Sequence, residues 1–148
     1  MLHVIETTDI DASADTVWAL AGAFDRLDRW VPHVSGLLCA GQGVGAVRRF
    51  TVGGHTMEER QVARDESNRS YSYRLLEGPL PVADYEATIT VEPLDAFGAR
   101  VSLSARCEPV GIDTARCEGM LRKAYRHCLL NLSDLAERAE AAFRDAHR

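Results

Sequence analysis

Two charged residues in a stretch of strand-like alternation, Arg48 and Glu59, are the first candidates for chemistry. Arg48 shares a face with Phe50 and Val52, and on the following stretch Glu59 shares the face of Met57 while Glu58 takes the other. An inward Arg needs a partner, because an unpaired buried charge costs several kcal/mol. Glu59 is the expected one. The pair is then either a structural ion pair or a polar pair that orients a ligand, and an outward salt bridge is the competing geometry. Tyr71, Tyr73 and Tyr85 point inward by the same parity, each joining a large apolar ring to one hydroxyl that needs a partner once buried. They line a cavity or sit as satisfied core tyrosines. His33 follows Trp30 and Pro32, and His127 lies one helical turn from Asn131; each is a candidate site residue or a surface residue. For acid–base work, Glu59 or His33 could serve as base and Tyr85 or Arg48 as donor to a developing oxyanion.

Other patterns carry less. Gly41-Gln-Gly43-Val-Gly45-Ala46 fits the GxGxxA form of a dinucleotide fingerprint, but Val47-Arg-Arg-Phe50-Thr-Val52 follows it with strand character, so no helix N-terminus is at hand for a pyrophosphate. It reads as a hairpin turn. Cys39, Cys107, Cys117 and Cys128 show no CxxC or Cys/His ligand spacing and read as free, packed thiols. His3, His55 and His147 offer no joint metal spacing, so neither a metal nor a cofactor is expected.

The elements that position these residues follow from periodicity. Val4 to Ile10 reads as a strand; Ser13 or Asp11 can cap a short helix bearing Val17, Trp18, Leu20 and Ala21. A second short helix carries Phe24, Leu27 and Trp30 until Pro32 stops it. From Val34 the period is two, broken at Gly41–Gly45, Gly53-Gly54, Asp65–Asn68, Gly78–Pro81 and Asp95–Gly98, which divides the middle into about six strands. Tyr85, Ala87, Ile89 and Val91 alternate with polar residues, as do Val101, Leu103, Ala105 and Cys107. This is the pattern of an antiparallel sheet covered on one face. Gly78-Pro79-Leu80-Pro81 is stiffer and more apolar than a turn requires, and is either a rigid connection or a lid. After Asp113, a plausible N-cap, Leu121, Tyr125, Cys128, Leu132, Leu135, Ala139 and Phe143 form one stripe of a helix of about 30 residues, roughly 45 Å long. Only a sheet curved around that helix can bury such a stripe in a small domain.

Composition bounds the functions. The 148 residues, expected to form one domain over 1–148, are 46% hydrophobic and 26% charged, which suits a globular chain with a real core. A formal charge of −5 gives no clustered cations for a nucleic-acid backbone. Lys123 is the only lysine beside many arginines, a compositional hint of a GC-rich bacterial genome. No stretch suits membrane insertion and no signal segment opens the chain, so a cytoplasmic monomer or homodimer is expected.

The order strand, two short helices, six strands, long helix resembles the helix-grip superfamily of birch-pollen-allergen-like, START-like and polyketide cyclase/dehydrase-like proteins. The likeness rests on Ala12–Leu20 (ASADTVWAL), Val44-Gly45-Ala46-Val47-Arg48, Glu59-Arg60 with Asp65, Tyr71-Ser72-Tyr73, Pro79–Tyr85 (PLPVADY) and Asn131-Leu132, and is greatest to the bacterial polyketide cyclase/dehydrase-like group. It implies an α+β fold, a seven-stranded curved antiparallel sheet wrapped around a long C-terminal helix. It also implies a hydrophobic small-molecule ligand held between the two, with Arg48, Glu59, Tyr73, Tyr85 and Asn131 on the pocket wall. The full expected ligand-binding set is Trp30, His33, Arg48, Phe50, Met57, Glu59, Tyr71, Tyr73, Leu80, Pro81, Tyr85, Ala87, Ala124, His127, Cys128 and Asn131. Binding or carrying a polar-tipped metabolite is the first functional expectation. A polyketide cyclase or dehydratase is the second, and a protein-interaction module with an incidental cavity is the third.

Overall fold

The computed structural model describes residues 1–147. Strand β1 (Leu2–Ile10) leads into helix α1 (Ala14–Ala21) and a 3₁₀ segment (Phe24–Arg29). Strands β2 (Val34–Ala40), β3 (Val47–Val52), β4 (His55–Asp65), β5 (Ser70–Glu77), β6 (Val82–Pro93) and β7 (Ala99–Pro109) follow, and then helix α2 (Thr114–Ala146). The strands form a seven-stranded antiparallel sheet in the order β1-β7-β6-β5-β4-β3-β2. Successive hairpins build β2 to β7, and β1 returns alongside β7. This is the α+β helix-grip architecture, with the short helices between β1 and β2. The tightest hairpin, β3–β4, turns on Gly53 and Gly54 at φ of 56° and 81°, the positive values a two-residue turn requires.

One sheet face is apolar as its alternation dictates. Tyr85, Ala87, Ile89 and Val91 on β6 and Val101, Leu103, Ala105 and Cys107 on β7 are all buried, and at about 25 cal/mol per Å² this shared face is the main source of stability. α2 starts at Asp113, whose Oδ1 accepts the Arg116 N–H at 2.9 Å. Its buried row runs Cys117, Leu121, Tyr125, Leu129, Leu132, Ala136 and Glu140. The expected stripe departs from this row in its second half. Cys128 and Leu135 lie half-buried at its margin, and Ala139 and Phe143 are exposed. α2 packs chiefly on β1, with α1 and β7 as further partners, so its buried row follows their placement more than one fixed face.

α1 is held by α2 as well as by its own cap. Ser13 Oγ accepts the Thr16 N–H at 3.2 Å, while Glu140 Oε1 accepts the Ser13 N–H at 2.6 Å and Glu137 Oε2 accepts the Asp11 N–H at 3.0 Å. Two carboxylates from α2 thus serve donors at the start of α1, where the helix dipole favours negative charge. The outer edge of β1 is closed by arginines of α2: Arg122 Nη1 donates to the Ile5 carbonyl at 2.8 Å, and Arg126 pairs with Glu6 at 2.8 Å. Among the described residues no helix is long and apolar enough to cross a membrane.

Candidate functional site: a tyrosine-lined cavity on a buried ion pair

Arg48 and Glu59 stand directly opposite each other in the β3–β4 ladder, the closest cross-strand relation on one face. Both are buried, Arg48 completely. Arg48 Nε donates to Glu59 Oε1 at 2.8 Å, and Nη2 lies 2.8 Å from the same oxygen without the alignment of a hydrogen bond. Nη1 donates to the Phe24 carbonyl at 3.1 Å and to the Tyr71 hydroxyl at 3.2 Å. The guanidinium plane is sandwiched, its carbon 4.2 Å from the Phe24 ring centroid and 4.7 Å from that of Tyr73. Arg48 is therefore fixed from every side. Glu59 Oε2 and the Tyr73 hydroxyl have no hydrogen-bond partner among the described residues.

Above this pair lies a cavity of about 190 Å³ between the inner sheet face and α2. Of the expected residues, Trp30, Arg48, Phe50, Met57, Glu59, Tyr71, Tyr73, Leu80, Tyr85, Ala124 and Cys128 line it. Five do not. Ala87 is buried opposite Tyr73 in the ladder, and its single methyl does not reach past its larger neighbours. Pro81 ties the β5–β6 connection to the end of β7, its carbonyl accepting the Val110 N–H at 2.8 Å. Asn131 is turned to the backbone, with Nδ2 donating to the Trp30 carbonyl at 2.6 Å. His33 and His127 are exposed and stack on each other, ring centroids 6.3 Å apart and planes 10° apart.

Leu27, Val31, Val52, Ile89, Leu103, Met120, Leu121 and Tyr125 also line the cavity and were not among the expected site residues. Strand parity already turned Ile89 and Leu103 inward, and Leu121 and Tyr125 stood on the helical stripe. Nothing in the sequence marked Met120. Tyr125 matters chemically, because its hydroxyl bonds that of Tyr85 across the sheet–helix gap. Gln61, two residues beyond Glu59 on the same face, is also buried; its Nε2 donates to the Gly43 carbonyl at 2.7 Å and holds the β2–β3 turn.

Burial dominates the electrostatics. It pushes the Glu59 carboxyl up, and the adjacent Arg48 only partly draws it back. Burial also works against the Arg48 charge, but Tyr71, Glu59 and Tyr73 more than restore it, so Arg48 stays charged. Burial raises the Tyr73 and Tyr85 hydroxyls well above the usual phenol value, and raises Tyr125 as well, keeping all three protonated as donors. It lifts the Cys128 thiol to about 11. The cavity thus has apolar walls and a polar floor. That floor presents one unused carboxylate oxygen, one unused phenol and a bonded phenol pair. Among the described residues no three His, Cys, Asp or Glu side chains cluster as metal ligands.

No curated protein matches the chain in sequence. Among solved structures, an uncharacterised protein of Bacillus thuringiensis is 26% identical, with a TM-score of 0.86 over 91% of this chain and 98% of its own. A protein of Thermobifida fusca is 30% identical, with a TM-score of 0.80 over 93% of each chain. The ZhuI aromatase/cyclase of a Streptomyces species is 22% identical, with a TM-score of 0.76 over 93% of this chain and 94% of its own, a likeness of fold. The model of the family described as polyketide cyclase/dehydrase and lipid transport matches residues 1–137. A match of that extent, on a chain whose long helix is gripped by a curved sheet, makes this protein a member of the polyketide cyclase/dehydrase and lipid transport family.

Proposed function

We propose that the protein binds or carries a hydrophobic small molecule with one neutral polar tip, seated tip-down in the cavity between sheet and α2. The observation that carries this reading is the floor: an ion pair that already neutralises itself, with Glu59 Oε2 and the Tyr73 hydroxyl unused. A second charge placed there would have to shed its water without a counter-charge, whereas a hydroxyl or carbonyl finds a hydrogen-bond partner. The apolar walls supply affinity by burying surface. Titration with an environment-sensitive apolar dye tests the reading. About one saturable site per chain is expected, and widening Ala124→Trp, which fills the cavity at the helix, should abolish it while the protein stays folded. Linear, unsaturable dye uptake would sink it.

A second reading, catalysis of aldol cyclisation or dehydration on a poly-ketone chain, is favoured by the upward shift of Glu59. A carboxylate so perturbed is a stronger base toward a carbon between two carbonyls, and the Tyr73 and Tyr85 hydroxyls could hold the resulting enolate oxygen. The family description and the aromatase/cyclase of similar fold support it at the level of class.

A further inference from the structure

The stacked imidazoles of His33 and His127 stand outside the cavity wall but beside its opening. His33 is two residues beyond Val31 and His127 is one turn beyond Ala124; both Val31 and Ala124 line the cavity, and Ala124 is at the same time exposed. The pair is held there rather than left to drift. Asn131, the next turn of α2, bonds the Trp30 carbonyl at 2.6 Å and so pins the segment that carries His33 to the helix that carries His127. His33 itself is set at a φ of 66°, a left-handed conformation a non-glycine side chain rarely takes, and this turns its ring toward α2.

The charge around the opening is one-sided. On α2, Lys123 lies one turn before His127, and Arg126 is drawn off to Glu6. On the segment before β2, Asp28 is paired with Arg26, and Arg29 follows it. Asp25 lines a separate hollow with Cys39. The β3–β4 turn offers His55 and no carboxylate; Glu58 and Glu77, beyond it on β4 and β5, pair with Arg49. The 78–81 connection, whose Leu80 lines the cavity, carries no charge. Two near-parallel imidazoles 6.3 Å apart, with no carboxylate of the described residues paired to either, can aim ring N–H donors at one anion lying against their edges.

We propose that His33 and His127 form a carboxylate-binding subsite at the cavity mouth, so that the ligand presents an ionised carboxylate outward while its apolar body, with any neutral polar group, lies inside over the floor. This rests on the cavity reading above and adds the polarity and direction of the ligand. The floor refuses a second charge, so an ionised head has one place to go, the mouth.

Competition of decanoate, 1-decanol and methyl decanoate against a cavity-bound dye tests the proposal, using the full chain and the His33→Gln/His127→Gln double variant. In the native protein decanoate should bind about tenfold more tightly than decanol. In the double variant that advantage should be absent, with decanol and the ester unchanged, which also shows that the cavity survives. If decanol competes and decanoate has no histidine-dependent advantage, the mouth subsite is wrong and the cavity reading stands. If none of the three displaces a saturably bound dye, the mouth subsite is wrong; if the dye itself shows no saturable site, the cavity reading falls with it.

Discussion

Removing one member of the Arg48–Glu59 pair should cost more than removing both, and the two single losses should be unequal. In Glu59→Gln, Arg48 keeps its charge, because a guanidinium does not deprotonate in proteins, but loses its counter-charge and is left with neutral acceptors, the Phe24 carbonyl, the Tyr71 hydroxyl and the new amide oxygen, beside two ring faces. Breaking a buried pair this way costs about 3–5 kcal/mol. In Arg48→Met the survivor is a carboxyl whose affinity for a proton burial has already raised, and without Arg48 that rise is larger. It can neutralise itself, so the cost depends on pH. The folded state then binds a proton that the unfolded chain releases above about pH 4.3. Stability therefore falls by about 1.4 kcal/mol per pH unit from there until the folded-state value is passed. Urea unfolding at pH 5.5 and pH 8 should show Arg48→Met losing stability between the two, Glu59→Gln nearly flat, and the double variant Arg48→Met/Glu59→Gln less destabilised than Glu59→Gln alone. Single variants within about 0.5 kcal/mol of the native protein, or a double variant as costly as the sum of the singles, would refute the reasoning.

Glu140→Gln should cost about 1 kcal/mol, the scale of a lost helix cap, because it removes the charge that accepts the Ser13 N–H. The backbone bond from Ser13 holds the Glu140 carboxyl below its ordinary value, so its contribution is present above the unfolded value and lost as pH falls through the lower folded one. Acid unfolding curves of the two proteins should converge at low pH. All four cysteines should alkylate in urea without reductant. In the folded protein at pH 8 Cys128 should react slowly, since burial has lifted its thiol to about 11; rapid native labelling there would contradict the packed position of that thiol.

Much of the frame is legible from parity alone. Tyr85 to Val91 and Val101 to Cys107 alternate without interruption, and a strand that alternates can bury only one of its faces. Arg48 and Glu59 could be matched because a short glycine turn sets the register of β3 on β4, leaving one carboxylate of suitable parity. The later half of α2 was not legible, because its buried row depends on which element lies against each turn. Leu129 lies beside β1, and Glu137 and Glu140 reach the start of α1, partners no local pattern announces. The reach of a side chain was equally hidden: Ala87 has the right parity and too little length, while Tyr125 spans to Tyr85. Asn131, His33 and His127 carry polar groups that could have pointed into the cavity, and their hydrogen-bond and stacking partners decide that they do not.

The carboxylates that α2 lends to α1 also set an order of assembly. Asp11 and Ser13 find their acceptors 126 and 127 positions later in the chain, and β1 pairs with the last strand, β7. During synthesis β1 and α1 thus emerge well before the elements that complete them, while β2 to β7 can zip by successive local hairpins. A nascent chain passes through a stage at which β1 and α1 are made and without partners; β7 then pairs with β1, and the start of α1 waits for the later turns of α2. Any factor that shields an unfinished chain has the most to protect at these first two elements.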